Sequence, residues 1–152
     1  GVEDGESIAK AALRETKEET GLDVELIRLV GVYSRISNMS PVHAIVFTAQ
    51  PVGGEIKCQE GETIAVEWFA FDELPSPLSA GHKRRIEDAI SGVSGVAVLQ
   101  EFKLPEMPDG ITRKELVELR DNSGLSRQDF YLHMFDKAEL IETTEVSGIQ
   151  KL

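Results

Sequence analysis

Apolar and polar positions along the N-terminal part of the chain predict one helix followed by strands. Good helix formers fill residues 8–20, where Ser7 is suited to the N-cap and Gly21 to the position after the last turn. Runs of β-branched and aromatic residues predict strands at 23–35, 42–52, 55–59, 64–71 and 95–102. We also expect a break or bulge at Gly31, a turn at 53–54 and a helix at 82–91. This mixture indicates the α/β class.

The pattern changes after residues 103–110, which contain two prolines and a glycine. Helical spacing then predicts two helices, at 111–122 and 126–142, joined by a short turn. This outline is similar to a helix-turn-helix, but Asp129 in the second helix would repel a phosphate backbone. We therefore expect a helical appendage that covers exposed sheet or forms a dimer contact, followed by a loosely held polar tail at 143–152.

Composition restricts the classes of function. The chain has 152 residues and is 41% hydrophobic, which suits a domain that buries a core. Its formal net charge of −11 disfavours nucleic-acid binding. No apolar run is long enough to cross a bilayer and no leader opens the chain, so we expect no membrane partner and a cytoplasmic location. The single Cys58 cannot form an internal disulfide, which fits a reducing compartment.

Three glutamates, Glu15, Glu18 and Glu19, lie near the end of the first predicted helix, where they repel each other and the helix dipole. On a helical wheel they continue the stripe that begins with Ile8 and Ala12. Such a stripe is expected to face the protein, and inward carboxylates are costly unless cations neutralise them. The i, i+3, i+4 spacing lets them reach one or two hard divalent ions. The alternative is an ordinary solvated acidic face.

Residues 1–22, GVEDGESIAKAALRETKEETGL, resemble the Nudix box, G-x5-E-x7-R-E-U-x-E-E-x-G-U, in which U is aliphatic. The register is kept at Glu6, Arg14-Glu15, Glu18-Glu19 and Gly21-Leu22. Two positions differ, because the first box glycine would precede Gly1 and Thr16 takes an aliphatic position. The segments GVYSR, VEWFAFDELP and LSAGHKRRIEDAI also look like Nudix sequence, so the resemblance covers about residues 1–102.

The resemblance implies a Nudix-type α/β/α sandwich with a mixed sheet at residues 1–102, followed by a helical extension at 103–152. Family members normally have strands before the box, and these N-terminal strands are missing from the sequence. We expect either a fragment, or a member in which the C-terminal segment or a partner chain, as in a homodimer, fills the gap.

The resemblance also implies hydrolysis of a nucleoside diphosphate linked to another group. It assigns Glu15, Glu18 and Glu19 as ligands of Mg²⁺ or Mn²⁺, with Glu18 also catalytic, and such ions offset phosphate charge and activate water. Arg14 and Glu6 are expected to pair and support these ligands. ADP-ribose or another sugar-nucleotide is the favoured substrate. The alternatives are an oxidised nucleoside triphosphate, or a catalytically silent Nudix-fold module that binds nucleotides.

Candidates outside the box complete the predicted site. Glu62, preferred over Glu60, is the expected general base, with a solvated hairpin glutamate as the alternative. Tyr33 and Arg35 are candidate substrate-binding residues, and Tyr33 is equally suited to the core. HKRR at 82–85 is expected to form a solvated helix start, with phosphate contact as the alternative. Trp68 and Phe69 are expected in the core, with a base-stacking platform as the alternative. The histidines are interpreted as structural: His43, His82 and His133.

Overall fold

The computed structural model describes residues 1–37, 41–57, 65–76, 78, 81–105 and 107–150. Its elements, in chain order, are α1 (Ile8–Thr20), β1 (Leu22–Ile36), β2 (Val42–Gly54), α2 (His82–Ile90), β3 (Val93–Ser94), β4 (Val96–Lys103), α3 (Arg113–Asn122), α4 (Arg127–Asp136), β5 (Glu139–Val146) and β6 (Ile149–Gln150). Within the described residues, no helix combines the length and apolarity that crossing a bilayer requires.

The strands form a four-stranded sheet in the order β2-β1-β4-β5, and a two-stranded sheet of β3 and β6. β1 and β4 run parallel, whereas β4 and β5 run antiparallel. The predicted α/β class with a mixed sheet is therefore confirmed.

The chain divides into two compact units. The first unit consists of Gly1–Leu29 and Phe47–Leu74, and the second of Val30–Val46 and Pro75–Leu152. β1 and β2 each contribute residues to both units.

In the first unit, α1 begins and ends at the predicted caps. The Ser7 hydroxyl accepts a hydrogen bond from the Lys10 backbone N–H, and the Gly21 N–H donates to the Lys17 carbonyl. Gly21 adopts a left-handed φ of 76°, and a Cβ there would lie 2.2 Å from the Glu55 carbonyl oxygen. Glycine is therefore required both by the backbone conformation and by the close approach of residue 55.

The first unit leaves several aromatic residues in water. Trp68 is 68% exposed, Phe69 44% and Phe71 71%, so the prediction that Trp68 and Phe69 belong to the core is wrong. The predicted strand at 64–71 is also wrong over its described residues, 65–71, which form no strand. Aromatic residues favour a strand only where a neighbouring ladder and a buried face receive them.

Two predictions about glycines in β1 and β2 also need correction. β1 continues through Gly31, so the break predicted there does not occur, and its register with β4 from Gly31 to Ile36 is regular. A Cβ on Gly31 would lie 2.2 Å from the carbonyl oxygen of Val96, so this glycine permits close contact between paired strands. The turn predicted at 53–54 is instead the end of β2, and residues 55–57 form no returning strand.

The second unit contains most of the buried apolar residues among those described. One cluster lies on the sheet and includes Tyr33, Val96 and Val98. The other lies around α3 and α4 and is formed by Leu104, Ile111, Leu116, Phe130 and Met134. Leu116 of α3 and Phe130 and Met134 of α4 pack together in this cluster.

The C-terminal segment differs from its prediction after residue 136. α4 ends at Asp136 rather than continuing to residue 142, and residues 139–146 form β5. β5 pairs with β4 along the register from Lys103↔Glu139 to Ala97↔Val146. The segment expected to be a helix end and a loose tail therefore forms an edge strand, because pairing with β4 supplies hydrogen bonds that an isolated tail lacks.

Candidate functional site

The first six residues are attached to α1 through Arg14. Its Nε donates to Glu6 Oε1 at 3.0 Å and its Nη2 to Glu6 Oε2 at 2.9 Å, which makes the pair bidentate. Nη2 also donates to the Gly1 carbonyl at 2.8 Å. The Glu3 backbone N–H donates to Glu6 Oε2 at 3.1 Å. Three groups of the loop and one side chain of the helix thus share one set of hydrogen bonds, as the predicted Arg14–Glu6 pair requires.

The same bonds change the proton affinity of both partners. The hydrogen bonds from Arg14, followed by that from the Glu3 N–H, lower the pKa of Glu6 below its ordinary value. The bond to Glu6 and then the bond to Glu18 raise the pKa of Arg14. Both side chains are therefore charged at neutral pH, and the pair holds the loop against the helix.

The three box glutamates are partly or fully exposed to solvent. Glu15 is half-buried and its carboxylate contacts the Gly1 nitrogen. Glu18 is exposed and accepts a hydrogen bond from Arg14 Nη1 at 2.9 Å, and Glu19 is also exposed. The buried apolar residue of α1 is Ala11, not Ile8, which is 45% exposed.

The predicted inward orientation of this stripe is therefore wrong. An ionised carboxylate at an exposed position keeps its hydration, so α1 is stable without a cation. Crowded charge at the helix end is tolerated because water screens it and Arg14 offsets part of it. Any assignment of Glu18 and Glu19 as metal ligands must consequently rest on donor chemistry and on the motif, not on burial.

The donor set is suitable for a hard divalent cation in type, but it is not assembled. Among the described residues, no three His, Cys, Asp or Glu side chains are grouped closely enough to hold a metal. Glu15, Glu18 and Glu19 offer oxygen ligands at i, i+3 and i+4 of one helix. Because the Arg14–Glu18 pair is exposed, it is weak enough to yield to a stronger cation. The three side chains thus suit Mg²⁺ in the type of donor atom that they offer.

The Thr16 departure from the motif has a local explanation. Its hydroxyl donates to the Ala12 carbonyl at 2.7 Å, within the same helix. The polar atom is thereby satisfied, and the branched side chain fills the place of an aliphatic residue.

Tyr33 belongs to the buried part of the second unit. It is fully buried, and its hydroxyl donates to Asp88 Oδ2 at 2.9 Å. The same oxygen accepts from Arg84 Nε at 2.8 Å. Burial, followed by the bond to Asp88, raises the pKa of Tyr33 well above its ordinary value. This placement favours the core interpretation of Tyr33 over contact with substrate.

The other two candidates outside the box have different outcomes. Arg35, at the end of β1, is half-buried, and burial lowers its pKa. Glu62 and its alternative Glu60 lie outside the described residues, so the general base stays a prediction.

A buried polar residue that the sequence analysis did not single out is Gln100 in β4. Its Nε2 donates to the Gly81 carbonyl at 3.0 Å and to Glu142 Oε1 at 2.6 Å, and its Oε1 accepts from Arg85 Nη2 at 2.9 Å. The signal was present: along β4, Val96, Val98 and Phe102 are buried, and Gln100 shares their period-2 parity. A glutamine in that position must find polar partners inside the protein.

Comparison with known proteins is consistent with the box. A family model described as NUDIX domain matches residues 1–89. A candidate 8-oxo-dGTP diphosphatase from Bacillus subtilis (strain 168) is 34% identical over 97 residues, covering 64% of this chain and 64% of the relative. An ADP-ribose pyrophosphatase from Methanocaldococcus jannaschii is 38% identical over 96 residues, covering 62% and 56%.

A relative that matches over a shorter segment is the NAD-capped RNA hydrolase NudC of Pseudomonas aeruginosa. It is 38% identical over 81 residues, which are 52% of this chain and 27% of the relative. The chain thus spans less than two thirds of the length of these curated relatives. The comparison with solved structures found no match.

Proposed function

Because this chain belongs to the Nudix family, we propose that it hydrolyses a pyrophosphate bond in a nucleoside diphosphate derivative, with Mg²⁺ or Mn²⁺ as the cofactor. The observation that carries the proposal is the bidentate pair between Arg14 and Glu6, with Arg14 also bound to Glu18. This pair supports one of the three box carboxylates directly and holds the preceding loop beside them.

In this proposal Glu15, Glu18 and Glu19 hold the metal, and Glu18 is the residue on which the reaction depends most. The bound ion supplies neutralisation of phosphate charge and a lowered pKa for the attacking water. Arg14 and Glu6 act as positioning residues, because their bidentate pair holds the preceding loop beside α1 and places Arg14 next to Glu18. Glu62 is our candidate for the general base.

ADP-ribose or a related sugar-nucleotide is the favoured substrate. Support comes from the relative named ADP-ribose pyrophosphatase, which is 38% identical to this chain. The first alternative is an oxidised nucleoside triphosphate, favoured by the relative named for 8-oxo-dGTP. The second is a catalytically silent module that binds nucleotides, which is compatible with the unassembled carboxylates.

Turnover of a substrate panel tests the proposal. ADP-ribose, a second sugar-nucleotide, NAD-capped RNA and 8-oxo-dGTP are each incubated with the protein and Mg²⁺, and the products are identified by chromatography. Glu18→Gln should lower Mg²⁺-dependent cleavage more than about 100-fold, since loss of a residue that only supports a ligand already costs about 10–100-fold. Glu118→Gln is the matched control, because Glu118 is an exposed glutamate on α3.

The outcomes separate the candidates. Cleavage of ADP-ribose in preference to 8-oxo-dGTP supports the favoured substrate, and the reverse order supports the first alternative. Full activity in Glu18→Gln contradicts the role given to Glu18. Nucleotide binding without cleavage of any substrate supports the silent module.

A further inference from the structure

Two arginines and a histidine lie near one another where two parallel strands of the second unit end. We call Arg35, His82 and Arg85 the basic cluster. Arg35 lies opposite Gln100 in the parallel register of β1 and β4, and Gln100 accepts a hydrogen bond from Arg85. His82 is the first residue of α2 and follows Gly81, whose carbonyl is bound to Gln100. Gln100 is thus bonded to Arg85 and to the residue before His82, and it is paired in register with Arg35.

Arg85 contacts an aromatic ring and a neutral amide, and it forms no ion pair with a described carboxylate. Its guanidinium lies 5.5 Å from the centre of the Tyr33 ring, and Nη2 donates to the neutral amide of Gln100. Its Nε is buried and has no hydrogen-bond partner among the described residues. A buried donor left unbonded in a native structure requires an explanation, and an absent acceptor is the simplest one.

Arg35 is a second cation that forms no ion pair with a described carboxylate. It is half-buried and forms no hydrogen bond or ion pair with any described residue. Burial, followed by the charge of Arg35, lowers the pKa of Arg85. Partial removal of the His82 imidazole from water, followed by the charges of Arg85 and Arg35, lowers the pKa of that histidine. At neutral pH His82 is therefore uncharged, and the two arginines carry the positive charge of the cluster.

The two described carboxylates nearby, those of Asp88 and Glu142, accept hydrogen bonds from residues outside the cluster. Asp88 is bound to Tyr33 and to Arg84. Glu142 accepts from Gln100, and its charge acts on Arg84 and Arg85 without a direct ion pair to the cluster. Among the described residues, neither guanidinium group forms an ion pair with a carboxylate, and guanidinium geometry suits the oxygens of phosphate.

We propose that Arg35, Arg85 and His82 form a binding site for a phosphate-type oxyanion at the carboxyl ends of β1 and β4. In α/β sheets, ligands characteristically bind outside the carboxyl ends of parallel strands. The anion would accept from the unbonded Nε of Arg85 and from Arg35. That this anion is a phosphate of the nucleotide substrate rests on the proposed function, whereas the site itself does not. A free phosphate ion has the same chemistry.

Binding is measured in the presence of a chelator, so that no metal-bridged phosphate can attach to the glutamates of α1. Inorganic phosphate, pyrophosphate, ADP and adenosine are titrated separately by calorimetry, and the His82 ring signal is followed by NMR. His82→Asn assigns that signal. We expect the three anions to bind and to shift the His82 resonance, and adenosine to do neither.

Substitution identifies the residues. Arg35→Gln should weaken binding of phosphate and ADP at least about tenfold, because it removes a charge-assisted donor. Arg35 has no described partner, so this variant tests binding with little effect on the fold; Arg35→Lys should recover part of the affinity. Arg113→Gln, at an exposed arginine of α3 in the same unit, is the control and should bind as the parent protein does.

The two sources of the anion give different kinetics. If Arg35→Gln raises KM for the nucleotide by a similar factor, the site binds a substrate phosphate. If KM is unchanged while phosphate binding is lost, the site binds free phosphate. Absence of anion binding to the parent protein, or equal binding by Arg35→Gln, overturns the site without touching the proposed hydrolysis, which the Glu18→Gln experiment tests alone.

Discussion

The helices α1 and α2 both carry many charged side chains, but these side chains differ in burial and in hydrogen bonding. On α1, Glu18 and Glu19 are exposed and Arg14 forms hydrogen bonds near the surface. On α2, Asp88 is only 9% exposed and is bound by both Tyr33 and Arg84. Charges of α1 can change partner at small cost, whereas those around Asp88 are part of the core of the second unit.

This difference indicates what each region can do. Side chains that are hydrated are available to an incoming ligand, because water is a partner they can exchange. Side chains that already satisfy one another stabilise the fold and have little left to offer. Arg35 and Arg85 are exceptions in the second unit, since they are withdrawn from water but not matched by a carboxylate.

The largest effects on stability should follow from adding a methyl group at two glycines. Gly21→Ala in the first unit and Gly31→Ala in the second would each place Cβ 2.2 Å from a backbone oxygen, and overpacking of this kind costs about 1–3 kcal/mol or more. Gly92→Ala is the control, because Gly92 has φ 82° but no atom within 4 Å of the added Cβ. Chemical denaturation measures all three.

The control separates two causes at Gly21. If Gly92→Ala loses as much stability as Gly21→Ala, the positive φ alone accounts for the loss and the contact with Glu55 is irrelevant. A smaller loss in Gly92→Ala means that close packing of α1 against residue 55 contributes.

Removing one hydroxyl from each unit should have unequal effects. Tyr33→Phe deletes the buried bond to Asp88 and should lower the free energy of unfolding by about 1–3 kcal/mol. Thr16→Val deletes a bond that stays within α1, and the change should be within about 0.5 kcal/mol. Equal losses in the two variants, measured by denaturant titration, would contradict the contrast between the units.

The smallest expected effect is a dependence of stability on pH. Because the pKa of His82 lies below its ordinary value of 6.5 in the folded protein, the unfolded chain binds more protons there. That contribution to stability is present above pH 6.5 and is lost as the pH falls toward the folded-state pKa. The lowered pKa of Glu6 acts in a more acidic range, with stability present above 4.5 and lost as the pH falls through its folded-state value.

Denaturation midpoints between pH 7.5 and 5.5, in buffers without phosphate, test the His82 part. His82→Gln should lose less stability over this range than the parent protein. An identical loss in both would show that another group causes it. Arg35 and Arg85 are the charged groups that act on His82, so Arg35→Gln should also reduce the dependence.

Much of the first helix could be predicted from local signals. Ser7 and Gly21 mark its ends through side-chain and backbone geometry that depends on few neighbours. The direction of its glutamates could not be predicted, because the wheel gives relative angles but not which side is covered. The motif nevertheless identified the Arg14–Glu6 pair, whose members are eight residues apart.

The errors in the second half of the chain have a common physical cause. The residues of β5 mix Glu and Leu, which favour helices, with Ile, Thr and Val, which favour strands, and pairing with β4 decides between the two. The polar network around Gln100 likewise joins residues from β4, β5, α2 and the turn before it. Contacts between residues distant in sequence are invisible to any reading of local pattern.

The bond between Gln100 and Glu142 has a consequence for biosynthesis. Its partners are 42 residues apart, and translation proceeds at about 5–20 residues per second, so the donor waits roughly 2–8 s on the ribosome before the acceptor is made. During that interval the edge of β4 has no neighbour on the side that β5 will occupy. This edge of β4 is therefore open to mispairing until β5 has been made, has left the ribosome and has paired with it.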